Sequence, residues 1–91
     1  MIQDYEEKIL DLIDAMVETA SDDELFASGY LRGHISLAAA DCEQDGIDCI
    51  DMLKQRVDGS LKDNANELTP ADQVLVANLW SNLQTQASSV A

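Results

Sequence analysis

Apolar residues recur along this chain at spacings of three and four, the period of a helix buried on one side. Ile2, Tyr5, Ile9, Leu12 and Met16 set the first stripe, widened by Ile13, Val17 and Ala20, and predict a helix over about 2–20. Asp4, Glu7, Asp11, Asp14 and Glu18 repeat the spacing on the opposite side, so one face is apolar and the other carries five carboxylates. Ser21 with Glu24 three residues on has the pattern of a capping box, and Asp22, Asp23 and Glu24 complement the positive end of a helix dipole. A second helix is therefore predicted over about 22–41. Ala27, Leu31, Ile35, Ala38 and Cys42 form one stripe on it, and Phe26, Tyr30, Gly33 and Leu37 another, with His34 between them. Arg32 is its one charged side chain between the capping acids and Asp41, so this helix is expected to be the most buried.

Residues 43–46 read as a turn, followed by a third helix over about 46–62 whose core face is Ile47, Ile50, Leu53, Val57 and Leu61. Residues 63–67 are polar and turn-prone. Thr69 then offers an N-cap and Pro70 a first helical residue for a fourth helix over about 70–87. Val76, Leu79, Trp80, Leu83 and Ala87 line one side of it and Asn78, Ser81, Asn82 and Thr85 the other, and residues 88–91 are expected to fray. The pattern predicts an all-α fold: a compact single-domain bundle of about four helices, mostly antiparallel.

Composition narrows the function classes. A hydrophobic fraction of 46% supports a folded core, and with 4% aromatic residues that core must be aliphatic. Eleven Leu and eleven Ala against five Val favour helix over sheet. Five Lys and Arg against eighteen Asp and Glu give a net charge of −13. That excludes a generic nucleic-acid binder and disfavours an anionic membrane surface, because both need clustered cations. No apolar run approaches the roughly 18–20 residues of a membrane span, and the first residues are acidic where a signal peptide is basic. On one continuous helix the Cα atoms of Cys42 and Cys49 would lie about 10 Å apart, too far for a disulfide. A break at Gly46 would bring a bridge within reach, but nothing indicates one, and both are read as reduced thiols of a cytoplasmic protein.

The run Ala-Ser-Asp-Asp-Glu-Leu-Phe-Ala-Ser-Gly-Tyr-Leu-Arg-Gly-His over residues 20–34 resembles the YfcL-like family, small proteins of gammaproteobacteria. Glu-Leu-Thr-Pro over 67–70 and Val-Leu-Val-Ala-Asn-Leu-Trp over 74–80 resemble its carboxy-terminal half. The resemblance spans nearly the whole chain, is weakest over about 41–66, and implies a short, cytoplasmic, all-helical protein. It carries over no reaction, ligand or catalytic residue.

Candidate chemistry is sparse. Residues 41–46 resemble the opening of a calcium loop, but Met52 stands where a bidentate Glu is needed and Asp48 where an aliphatic residue is usual. A bundle metal site needs paired Glu-x-x-His motifs, and the chain has one His with Leu31 three before it. Cys42, Cys49 and His34 lack zinc spacing. No metal or other cofactor is implied. Cys42 or Ser28 with His34 could form a nucleophile pair, but neither has a recognisable elbow or oxyanion element. A structural role suits His34, which lies between two apolar stripes.

Gly29 and Gly33 are the sharpest local feature, since each mid-helix glycine costs about 1 kcal/mol against alanine. With Ser36 and Ala40 they form a seam of small residues. It reads as a tight helix crossing inside the bundle, a helix break near Gly29, or an external groove with Arg32 on its rim. Nine acids and one lysine in residues 1–24 place −8 of the −13 there. That surface, with Asp11, Asp14 and Glu18 at its centre, is either solubilising or a docking face for a basic partner. The uncharged face of the fourth helix is either covered by its neighbours or a homodimer interface. These readings lead to a non-enzymatic, acidic, helical protein-interaction module whose partner is another protein. Two alternatives stand: a small-ligand binder or enzyme with a pocket around Tyr30, Arg32 and His34, and an acidic mimic of nucleic acid that binds a basic protein.

Overall fold

The computed structural model describes residues 1–89 and contains α1 (Ile2–Val17), α2 (Asp22–Gln44), α3 (Ile50–Asp63) and α4 (Pro70–Ser89), with a short 3-10 turn at Ala65–Glu67. The fold is all-α, and all four helices feed one hydrophobic core. α2 packs against α1, α3 and α4, and α1 also lies against α4. Ala27, Ser28, Leu31, Ile35, Ala38, Ala39 and Cys42 of α2 are buried. At 3.6 residues per turn they occupy an arc of about 120°, with three alanines that let neighbouring helices approach and Leu31 and Ile35 filling the space between them. α1 adds Ile2, Ile9 and Ile13, α3 adds Leu53 and Val57, and α4 adds Val76, Trp80, Leu83 and Ala87. Trp80 stays satisfied because its Nε1 donates to Asp58 Oδ1 at 2.8 Å.

The second apolar stripe of α2 departs from expectation. Phe26 is 49% and Leu37 57% exposed, Gly33 is exposed, and Tyr30 is half-buried. The reason is angular: these positions lie beyond the arc that α1, α3 and α4 share. α2 also runs unbroken through Gly29 and Gly33, and a Cβ built on either meets nothing within 4 Å. The small-residue seam is therefore neither a helix break nor an internal crossing. Gly29, Gly33, Ser36 and Ala40 all face outward.

The helix limits differ from the periodicity for local reasons. α1 stops at Val17, which is 40% exposed, rather than near residue 20. The capping box of α2 requires Ser21 in extended conformation, with Glu24 N donating to its Oγ and Ser21 N donating to Glu24 Oε1, and the chain must turn ahead of it. α2 runs to Gln44, not Asp41, and ends in a Schellman motif. Gly46 adopts φ +71°, its N–H donates to Glu43 O, and Ile47 N–H donates to Cys42 O at 2.8 Å. That ending and the extended residue Cys49 delay α3 to Ile50. Asp48, between them, reaches back to α1, where its Oδ1 accepts from Ile2 N at 3.0 Å. Thr69 caps α4 as expected, with Asp72 N donating to its Oγ1 at 3.2 Å. α4 continues through Ser89, and the expected fraying at residues 90 and 91 lies outside the described residues.

Replacing Gly29 or Gly33 by alanine should raise unfolding stability by about 1 kcal/mol each, because the methyl enters open space and the unfolded chain loses freedom. Gly46→Ala should lower it by about 1 kcal/mol, since the left-handed backbone there strains any Cβ. Urea unfolding reads both signs; a destabilising Gly33→Ala would mean that the position is covered.

Candidate functional site

The two edges of α2 are chemically different. On the α1 side, Asp4, Glu7, Asp11, Asp14 and Glu18 are all exposed, which gives the anionic face its expected form, although Glu18 lies just past the helix end. Arg32 reaches across from α2, with Nη1 3.5 Å from Asp14 Oδ1. That nitrogen is buried yet lacks hydrogen-bond geometry. The two side chains are 42% and 60% exposed, so the pair contributes less than about 1 kcal/mol.

Beside this pair lies a cleft of about 580 Å³ between the start of α1 and the second half of α2. Ser36, Ala39 and Ala40 line it, together with Glu6 from α1 and Glu43 from α2. Burial, then the like charge of Glu43, pushes the Glu6 carboxyl above its ordinary range, against a smaller opposite pull from Arg32. At the far end, the Ile2 backbone N–H and the terminal ammonium hold the Asp48 carboxyl below its usual range.

On the α3 side, His34 Nδ1 and Ser60 Oγ share a hydrogen bond of 2.6 Å. The Tyr30 ring lies 4.5 Å from the imidazole and 6.2 Å from Phe26, and its hydroxyl donates to Asn64 O at 3.4 Å. Burial, and then Glu67, raises the Tyr30 pKa. A serine bonded to a histidine invites a nucleophile reading, but Ser60 sits inside α3, where the neighbouring N–H groups belong to the helix ladder. Those backbone N–H groups are not free to form an oxyanion hole. The contact ties α2 to α3.

Arg32 and His34 lie two residues apart, about 200° around the helix, and face different neighbours. Tyr30, Arg32 and His34 therefore do not converge on one pocket. The nucleophile pairs also fall away. Cys42 is fully buried, and buried Ser28 donates to Leu25 O at 2.9 Å. His34 has Ser60 instead, a partner whose only sequence signal is a polar residue three after Val57. The calcium-loop opening is not a loop, because residues 41–44 are helical and Asp45 Oδ2 pairs with Arg56 Nη2 at 2.8 Å. Among the described residues, no three His, Cys, Asp or Glu side chains group as metal ligands. Cys42 and Cys49 are both free. On α4, Asn78, Ser81, Asn82 and Thr85 are exposed, with Val74 the large apolar side chain beside them. No helix among the described residues is long and apolar enough to cross a membrane.

A family model described as YfcL protein matches residues 3–85. The chain is 51% identical over 90 residues to Uncharacterized protein YfcL of Escherichia coli (strain K12), covering 97% of this chain and 98% of that protein. No solved structure matches it.

A carboxyl with a raised folded-state pKa destabilises the fold once ionised, so its contribution worsens as pH rises through the window above its ordinary value. Glu6→Gln should therefore raise the melting temperature at neutral pH, and the gain should vanish below about pH 4, where Glu6 is protonated in either state. A lower melting temperature at neutral pH would mean that the attraction of Arg32 outweighs burial and Glu43.

Proposed function

The chain belongs to the YfcL family, and from that premise we propose that it works as a non-enzymatic interaction module, an acidic helical scaffold that docks a partner protein bearing a basic surface. The observation that carries this reading is the exposed, uncharged face of α2, set in a surface whose formal charge is −13. Charge depletion at the centre with charge at the rim is the pattern of an interface core. The surrounding carboxylates speed encounter with a cationic partner and repel nucleic acid and anionic lipid. The single Ser–His contact, held inside a helix ladder, offers little to a catalytic reading. Free Cys42 and Cys49 support a reducing, cytoplasmic address. The exposed side of α4, amides and hydroxyls with Val74 its large apolar side chain, fits a homodimer interface less well than α2 fits a partner.

Crosslinking in the native cell followed by mass spectrometry, with Asp11, Asp14 and Glu18 reversed to lysine in a parallel strain, tests the reading. All three are exposed, so reversal at Asp11 and Glu18 should change stability by no more than about 0.5 kcal/mol each, and at Asp14, where it sets a lysine beside Arg32, by about 1 kcal/mol. Capture should be specific, weaken at high salt, and fall about tenfold in the reversed variant. Capture indifferent to the reversal would remove the role of the acidic face.

A further inference from the structure

We infer that the outer face of α2 from Phe26 to Ala40 seats one helix of a partner, apolar along a single stripe and edged on both sides by Lys or Arg. This rests on the interaction-module reading and names its site and the chemistry of its occupant. Phe26, Gly29, Gly33, Ser36, Leu37 and Ala40 fall within an arc of about 100° and span about 21 Å, four turns. Phe26 and Leu37 stand about 16 Å apart along the axis, each half exposed, with the two glycines between them. Side chains at the ends and bare backbone in the middle make a shallow furrow.

The glycines give the furrow its meaning. Neither has the positive φ that would require glycine, and neither is approached by another atom that a Cβ would strike. Each weakens the free helix relative to alanine, and nothing within the fold gains from it. A partner backbone brought close over positions 29 and 33 gains what a Cβ there would exclude.

The occupant is a helix because the backbone of α2 spends its hydrogen bonds internally. It offers no open edge to an extended strand, so a docked segment must satisfy its own N–H and C=O groups. Its charge follows from the rims. Glu6 and Glu43 in the cleft beside Ser36 and Ala40 flank the α1 side, where Arg32 is already paired with Asp14. Asp41 and Asp63 line a depression beside Leu37 on the α3 side, where Arg56 is already paired with Asp45. Asp22 stands at the amino-terminal end. A second copy of this chain would bring carboxylate rims against carboxylate rims. A cation-edged helix meets both rims and lays its apolar stripe on the furrow.

Three fluorescent peptides of about 15 residues, the length of the face, test this by anisotropy at about 0.15 M salt. One has a Leu/Ala stripe with Lys edges, one keeps the stripe with Glu edges, and one keeps the Lys content with the stripe scrambled. The Lys-edged helix should bind best. Phe26→Ser, Leu37→Ser and Gly33→Leu should each weaken it about tenfold or more, while Val74→Ser on α4 leaves it unchanged and thermal melts confirm that every variant is folded. Equal binding of the scrambled peptide or of the Glu-edged one overturns the inference, as do unchanged affinities in the face variants. A dimer in sedimentation that Gly33→Leu dissolves assigns the face to a second copy and overturns it too. Native-cell capture that persists with a photocrosslinker at position 33 silent keeps the interaction-module reading and rejects this site.

Discussion

Everything in this fold hangs on one arc of α2 that three other helices share. α2 offers an arc of Ala, Leu, Ile and Cys to three neighbours at once, and α1, α3 and α4 bury their isoleucines, leucines and Trp80 against it. Burial stabilises in proportion to apolar area removed from water, so each neighbour gains by covering this arc. The same geometry has a second consequence. Three helices crowded onto one arc leave the opposite arc with no intramolecular partner, whatever residues occupy it.

Much of this was legible in the sequence. The 3–4 spacing placed all four helices, and the Ser21 box, Thr69 and Pro70 marked starts that the structure keeps. Legibility ended where tertiary contacts decide. Periodicity says that Phe26, Tyr30, Gly33 and Leu37 share a face, but not that no helix comes to cover it. It cannot see Asp48 reaching over forty residues back to the start of α1, nor a Schellman ending that postpones α3. Nor does periodicity name Ser60, on another helix, as the partner of His34. The Tyr30, Arg32 and His34 set failed on simple rotation, since successive even positions on a helix do not share a side.

The candidate surface combines features that have separate physical effects. In the proposed reading, carboxylates act at long range on what approaches, and the uncharged furrow acts at contact on what fits. Glu6 and Glu43 sit where the two meet, in the cleft that borders Ser36 and Ala40. Their mutual repulsion is a standing cost in the free protein, of the kind that a partner's cation relieves.

α2 is wet along its outer arc. Relaxation enhancement by a neutral soluble gadolinium chelate, read amide by amide in solution, tests it most directly. A helical alternation is expected along α2, with strong enhancement at Phe26, Gly29, Gly33, Leu37 and Ala40 and little at Ala27, Leu31, Ile35, Ala38 and Cys42. Uniform protection across both sets would contradict it, because the outer arc would then already be covered.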